Sequence, residues 1–180
     1  PGEVLVGLRE LGLFGLVADG EGGGAALSHT GRARVFEELA YLDPSVALTL
    51  ATHDTMALEA IRLFAAPEVA ARLVPALSRG DRTAAFALSE STAGSDAAGV
   101  LTRAERDGDA WTLTGEKIWV TGGERADAFV VFARTSPKLD GAKPRLTAFV
   151  VERGAGGPTE RGPTQLGVRG AASAILRLDG

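Results

Sequence analysis

The segment A-F-A-L-S-E-S-T-A-G-S-D, residues 85–96, marks the point where the sequence changes from a helical to a strand-like pattern. Before it, apolar residues recur at steps of three and four, whereas from Thr83 onward they alternate with a period of two. The segment begins as a strand and continues into small polar residues around Gly94. A strand end that delivers hydroxyls and backbone amides into a loop suits an anionic or heteroaromatic ligand.

The residues that precede this segment predict helices. Apolar spacing and capping residues indicate a helix and turn in 5–16, a helix begun by Ser28 or Thr30, a helix opened by Asp43-Pro44, and a helix from Pro67 towards Leu77. Residues 45–52 are compatible with helix or strand, because their apolar positions also alternate, and the helical stripe that follows favours a helix.

The residues that follow predict a sheet. Seven short strands are expected at 83–89, 100–106, 110–114, 116–121, 128–135, 146–152 and 172–178. Turn signals separate them, including Asp107-Gly108, Gly115, residues 137–144 and residues 154–158. The predicted fold class is therefore α+β, with a helical bundle portion in residues 1–80 and an antiparallel β-barrel or sandwich in residues 81–180.

Composition excludes several classes of function. The net charge is −4 with no basic cluster, so a nucleic-acid partner is not expected. There is no apolar run long enough to span a bilayer, no leader segment and no cysteine, and the chain has only two histidines, so we expect a cytoplasmic protein without a metal site. Because the chain starts at Pro1 and stops at Gly180 in what reads as the middle of an element, we expect a piece of a longer protein.

Trp119 and Thr121 are candidate ligand-binding residues within I-W-V-T-G-G, residues 118–123. A period of two places Lys117, Trp119 and Thr121 on one face of a strand, with Trp119 and Thr121 roughly 6.5 to 7 Å apart. An indole beside a hydroxyl can stack on a planar ring and bind its edge. The alternative is that Trp119 belongs to the core.

The polar residues of the first segment allow more than one interpretation. No serine motif typical of hydrolases is present. Glu90 and Asp96 are interpreted as caps and turn formers, with a catalytic carboxylate pair as the alternative. Gly94 and Ser95 can present donors to a pyrophosphate. Of the histidines, we expect His53 in the core and His29 at the surface.

The two motifs together carry a family resemblance. Residues 85–96, followed by R-D-G-D-A-W-T-L-T-G-E-K-I-W-V-T-G-G-E-R-A-D-A-F-V-V-F-A-R-T at 106–135, strongly resemble the acyl-CoA dehydrogenases. Members of that family typically read T-E-P-x-A-G-S-D and then N-G-x-K-x-W-I-T-N-G-x-x-A-D. The resemblance extends upstream through D-P-S-V-A-L-T-L-A-T-H and downstream through T-A-F-V-V-E-R-G and L-G-V-R-G, and so covers nearly the whole chain.

The resemblance implies an FAD site and a set of roles. Ser89, with the backbone of residues 86–88, would bind the flavin pyrimidine; Trp119 would lie against the isoalloxazine, and the Thr121 hydroxyl would lie near N5. Ser95 would contact the FAD pyrophosphate or the acyl-CoA substrate. The implied cofactor-binding set is Phe86, Leu88, Ser89, Gly94, Ser95, Trp119, Val120 and Thr121.

The implied reaction is the α,β-dehydrogenation of an acyl-CoA thioester to a trans-2-enoyl-CoA, as in fatty-acid β-oxidation. The family's base is a glutamate of a C-terminal helical domain, expected after Gly180, so no catalytic residue is assigned here. We therefore expect these 180 residues to be inactive alone and to bind FAD weakly. The full protein is expected to be a homotetramer or dimer that passes electrons to an electron-transfer flavoprotein or similar acceptor.

Departures from the family pattern keep two alternatives open. Thr-Glu-Pro is replaced by Ser89-Glu90-Ser91, W-I-T-N by W-V-T-G, and Lys-x-Gly-x-Arg-x-Ser by Q-L-G-V-R-G-A at 165–171. The alternatives are a flavin-dependent monooxygenase or oxidase on the same scaffold, and a non-catalytic module that binds flavin or acyl-CoA.

Overall fold

The computed structural model describes residues 2–20, 22–136, 145–155 and 159–180. Its helices come first: α1 Gly2–Glu10, α2 His29–Leu42, α3 Pro44–Ala51, a π-helical segment Thr52–Leu58, α4 Glu59–Phe64 and α5 Pro67–Ser78. The predicted turn at 137–144 lies outside the described residues, as do residues 156–158 of the predicted turn at 154–158.

Local capping chemistry fixes where the helices begin. The Ser28 hydroxyl accepts a hydrogen bond from the Gly31 N–H at 3.1 Å, which caps α2. The Asp43 carboxylate accepts from the Ser45 N–H at 2.7 Å, and Pro44 occupies the first turn of α3. The segment at 45–52, which was compatible with either structure, is therefore helical.

The strands form one seven-stranded sheet in the order β1-β4-β2-β3-β7-β6, with β5 paired to β4. Their bounds are β1 Ala84–Ala87, β2 Arg103–Asp107, β3 Ala110–Val120, β4 Ala128–Arg134, β5 Leu146–Glu152, β6 Thr159–Arg161 and β7 Ala174–Asp179. The helical segment followed by a sheet confirms the α+β fold class. The pairing is mixed and not purely antiparallel as predicted, because β4 runs parallel to β1 and, at one position, to β2, while the other pairs are antiparallel.

The strands of the structure differ from the predicted ones in two places. The segments at 110–114 and 116–121 form the single strand β3, because Gly115 is paired with Leu178 of β7 instead of making a turn. The short strand β6 was not predicted, and it pairs with β7 through residues 159–161.

Two core clusters lie on opposite faces of β1. Ala84 packs with the helices around Leu58, Leu73 and Leu77. Ala85 packs within the sheet with other buried residues, namely Ala87, Val120, Ala126, Phe129, Val131, Ala174, Leu176 and Leu178. Because successive side chains of β1 point to opposite faces, this strand packs against the helices on one face and against the sheet interior on the other.

Within the part of the chain that the structure describes, no helix has both the length and the apolar character needed to cross a membrane.

Candidate functional site

The two motifs meet in space where β1 and β3 end. The Ile118 N–H donates to the Ser89 carbonyl at 2.9 Å, although β2 and most of β3 lie between these two residues in sequence. Directly after Ser89, Glu90 and Ala93 exchange backbone hydrogen bonds of 2.9 and 3.2 Å and so close a tight turn. We refer to residues 88–93 and 117–121 as the junction.

Trp119 projects outward from a β-bulge. The register between β3 and β7 shifts between Lys117 and Val120, and both of these residues are fully buried. Trp119 between them has φ +58° and is 46% exposed. The predicted placement of Lys117 on the same face as Trp119 is wrong, because the extra residue in the bulge reverses the phase between them. A left-handed backbone costs a side chain such as Trp about 1–2 kcal/mol, which the surrounding contacts must offset.

The other predicted cofactor residues differ in what they can offer. The partly buried Phe86 ring lies 5.0 Å from the Phe132 ring in the helix-facing core, and the Val120 side chain is fully buried, so Val120 can offer a ligand only its backbone groups. Leu88 and Ser89 are half-buried, whereas Gly94 and Ser95 are exposed. A methyl group at Gly94 would meet no atom within 4 Å, so the space beside Gly94 is open.

A cavity of about 250 Å³ opens beside Thr121. It lies between the helices and the sheet, and apolar residues supply much of its lining. Residues on its wall include Val4, Leu5, Leu8, Phe14, Val46, Ala84, Thr121, Gly122, Ala171 and Ala172. The Gly122 N–H donates to the Ala171 carbonyl at 3.1 Å, which holds the end of the junction against the 168–172 loop.

A buried ion pair, Glu90 with Lys117, lies inside the junction. The Lys117 Nζ is 2.7 Å from the Glu90 Oε1, a separation typical of a charge-assisted hydrogen bond. Burial opposes ionisation of Glu90, but hydrogen bonds from Lys117, from the Thr102 hydroxyl and from the backbone of Leu101 and Thr102 outweigh it. The pKa of Glu90 is therefore below its ordinary value. Burial lowers the pKa of Lys117, and the Glu90 carboxylate opposes that shift.

The backbone of Glu90 does form a turn, with Ala93, but the interpretation as a cap or turn former leaves out the carboxylate, which is directed inward to Lys117 of β3. Sequence reasoning thus missed the ion pair. The available signal was that both partners stand in the two motifs, as the glutamate of S-E-S and the lysine of G-E-K-I-W. His53 is buried and His29 is exposed, as predicted.

The junction brings an aromatic side chain and a hydroxyl close together on neighbouring segments. Trp119 offers an exposed aromatic side chain, and the half-buried Ser89 offers a hydroxyl on the neighbouring segment. Gly94 and Ser95 lie in an exposed loop next to the junction. Among the residues described, no three His, Asp or Glu side chains are grouped closely enough to hold a metal ion.

Family models cover almost the entire chain. The N-terminal domain of acyl-CoA dehydrogenases matches residues 1–81, and the middle domain of acyl-CoA dehydrogenases matches residues 85–180.

Individual relatives agree with these models. The very long-chain specific acyl-CoA dehydrogenase of Macaca fascicularis is 40% identical over 98% of this chain, which spans only 28% of that relative's length. Glutaryl-CoA dehydrogenase from Mycobacterium smegmatis superposes with a TM-score of 0.89 at 34% identity, over 99% of this chain and 44% of that one. An acyl-CoA dehydrogenase complexed with FAD from Bacillus anthracis gives a TM-score of 0.86 at 32% identity, over 98% of this chain and 30% of that one. The chain therefore belongs to the acyl-CoA dehydrogenase family.

Proposed function

We propose that this chain supplies one wall of the FAD site of an enzyme that oxidises an acyl-CoA thioester to a trans-2-enoyl-CoA. The observation that carries the proposal is the geometry of the junction. Trp119 projects outward from a bulge in which its backbone is left-handed, and the N–H of the neighbouring Ile118 donates to the Ser89 carbonyl. Residues held in a strained backbone conformation cluster at active sites and ligand clamps.

In this proposal the residues of the junction bind and orient the cofactor. Ser89 and the backbone of residues 86–88 hydrogen-bond the pyrimidine edge, Trp119 packs against the ring system, and the Thr121 hydroxyl contacts the reactive edge. Gly94 and Ser95 take the pyrophosphate, and Ser95 also takes the thioester arm of the substrate. Val120 contributes its backbone, because its side chain is buried.

When bound, FAD supplies the acceptor for the hydride that leaves the β-carbon of the acyl group. The largely apolar cavity beside Thr121 suits the alkyl tail of the substrate, because it removes hydrocarbon from water next to the residues that would hold the flavin.

The catalytic base is proposed to be a glutamate that follows Gly180. Glu90 is the carboxylate of the junction, and it is not free to accept a proton, because Lys117, Leu101 and Thr102 already donate to it. The isolated chain of 180 residues is accordingly proposed to be inactive. Turnover of an acyl-CoA by that purified chain, measured with an electron-accepting dye, would contradict this proposal.

The proposal also covers organisation and partners. Residues 1–80 form the helical domain and residues 81–180 the middle β-domain, and the full-length protein assembles as a homotetramer or dimer. It acts in the cytoplasm and transfers electrons to an electron-transfer flavoprotein or a similar acceptor.

The test is the colour of the full-length gene product. We expect a yellow protein with the absorption of bound flavin, and we expect this absorption to bleach when an acyl-CoA is added without oxygen. Colour without bleaching would favour a flavin monooxygenase or oxidase. A colourless protein that does not bind added FAD would favour a non-catalytic module.

A further inference from the structure

The ion pair between Glu90 and Lys117 lies directly behind the two residues that would face the flavin. Ser89 immediately precedes Glu90, and Trp119 lies two residues after Lys117. The Lys117 side chain is fully buried, and the Glu90 side chain is 6% exposed. Two charges placed this deep are not available to a ligand, so any role in a binding site must act through their neighbours.

Both partners make further hydrogen bonds besides the one between them. The Glu90 carboxylate accepts from the Leu101 N–H at 2.6 Å and from the Thr102 N–H at 2.9 Å, and it also accepts from the Thr102 hydroxyl. The Lys117 ammonium donates to the Leu88 carbonyl at 3.1 Å in addition to Glu90. Lys117 therefore binds the first motif at Leu88 and at Glu90, the residues on either side of Ser89.

The same lysine is one of the two anchors of the bulge. It is the last residue of β3 in regular register with β7, where it pairs with Leu176, and the register resumes where Val120 pairs with Ala174. The left-handed Trp119 lies between these anchors. Beside it, the Ile118 N–H donates to Ser89, so the bulge is tied to the first motif as well.

We propose that Glu90 and Lys117 are positioning residues, which hold Ser89 and the left-handed Trp119 in one fixed relation. Their relevance to cofactor binding rests on the proposed flavin site. Their effect on the geometry of the junction does not depend on what the junction binds.

The ion pair makes a specific statement about paired substitutions. Breaking a buried pair by removing one partner leaves a buried charge without compensation, whereas replacing both partners with neutral side chains of similar volume removes both charges. Lys117→Met and Glu90→Gln should therefore each disturb the junction strongly. The effect of the double variant should be smaller than the sum of the two single effects, because the effects of contacting residues are not additive.

Hydrogen exchange of the Ile118 amide reports the junction directly, because its N–H donates across to Ser89. In the full-length gene product we expect Lys117→Met to raise exchange in the peptide around Ile118 by about tenfold or more, while peptides of α5 change little. FAD affinity, titrated into the apoprotein, should fall by about tenfold. The double variant should recover part of both losses.

Leu73→Ala is the matched control for a general loss of stability. Leu73 is fully buried among the helices, away from the junction, so its truncation lowers stability without touching either motif. In this variant, exchange at Ile118 and FAD affinity should stay close to wild type under native conditions.

The outcomes separate this inference from the proposed function. Unchanged exchange at Ile118 in Lys117→Met, or an equal increase in Leu73→Ala, would overturn the positioning role whatever the protein binds. Faster exchange confined to the junction in a protein that binds no FAD would support the positioning role and contradict the flavin site. If Lys117→Met does not fold, exchange at Ile118 and FAD affinity are measured in the double variant instead. Values equal to those of the wild type in both measurements would overturn the inference.

Discussion

Trp119 departs from ordinary strand residues in both backbone conformation and exposure. A large side chain with φ +58° is uncommon, because the left-handed region crowds the Cβ against the backbone. Burial offsets this cost only in part, since 46% of the residue remains in contact with solvent. The conformation therefore places the indole outside the core, where it can contact a ligand.

Replacement of this indole should affect binding far more than folding. In the full-length gene product, Trp119→Ala should weaken FAD binding by about tenfold or more, because stacking of an aromatic side chain on a planar heterocycle contributes about 1–3 kcal/mol. The free energy of unfolding should change by less than about 1 kcal/mol, since nearly half of the residue already lies in solvent and the substitution leaves the core clusters intact. Titration of the apoprotein with FAD, together with urea denaturation, measures both effects.

Trp111→Ala is a close control for this experiment. Trp111 lies on the same strand, is 42% exposed, and contacts Phe149 at 5.5 Å between ring centroids. It lies at the far end of β3 from the junction, so its truncation should leave FAD affinity unchanged. Equal losses in the two variants would contradict a specific role for Trp119.

Among the elements, the π-helical segment is joined to both α5 and β1 by one imidazole. The Nδ1 of His53 accepts from the Ala84 N–H at 3.0 Å, and its Nε2 lies 3.2 Å from the Leu77 carbonyl, to which it donates in the neutral ring. Phe14 packs edge-on against the ring at 5.3 Å. Burial, only partly opposed by the backbone contacts, lowers the pKa of His53 below its ordinary value of 6.5.

This lowered pKa predicts a loss of stability in weak acid. The unfolded chain binds the proton more readily than the folded one, so the stabilisation is complete above pH 6.5 and is lost as the pH falls below it. His53→Gln should remove most of this slope between pH 7 and pH 5, and His29→Gln at the exposed histidine should retain it. Urea denaturation at several pH values measures the slope, and equal slopes in wild type and His53→Gln would contradict the prediction.

The elements that could be predicted from the sequence are those that local chemistry determines. Ser28 and Asp43 begin helices because their side chains satisfy amides within the next three residues. Gly115 was misread as a turn because its environment is set by distant residues. Its φ of +150° lies in a paired strand, and Thr102 occupies the space that a Cβ would need.

The candidate site follows the same division. The motifs identified Ser89 and Trp119, and the structure brings their segments together. The bulge at Trp119 could not be predicted, because it depends on the register with β7 and no glycine marks it. The partner of Glu90 was equally hidden, because a glutamate in a glycine-bearing loop matches the local rule for a turn. Long-range pairing decided both cases.

For the molecule as a whole, Glu152 connects the helices to the sheet by two ion pairs. Arg72 of α5 lies 2.7 Å from its carboxylate, and Arg82, just before β1, lies 2.8 Å from it. Hydrogen bonds from these guanidinium groups lower the pKa of Glu152 from 4.5 to about 2. The group is one-third exposed, so solvent weakens the pairs.

The two ion pairs predict a second, more acidic transition. Their contribution is complete above pH 4.5 and is lost as the pH falls towards 2, because the carboxylate must then be protonated. Glu152→Gln should lower the free energy of unfolding at neutral pH by no more than about 1 kcal/mol, and less in high salt. Near pH 2 the variant and wild type should converge.

Glu160→Gln is the control for the pairs at Glu152. Glu160 pairs with Arg177 at 3.2 Å within the sheet, and its side chain is 51% exposed. Its removal should leave the helical segment unaffected in thermal unfolding followed by circular dichroism. A loss equal to that in Glu152→Gln would mean that the contact between helices and sheet contributes nothing specific.

The hairpin of β2 and β3 accounts for the length of sequence between the two motifs. Its tip, where Asp107 pairs with Ala110 across Gly108 and Asp109, is exposed and lies at the end of the hairpin away from the junction. Residues added there would lengthen the interval between the motifs without moving Lys117 relative to Glu90. Searches of genomes for this site should therefore fix the residues within each motif and leave the interval between them variable.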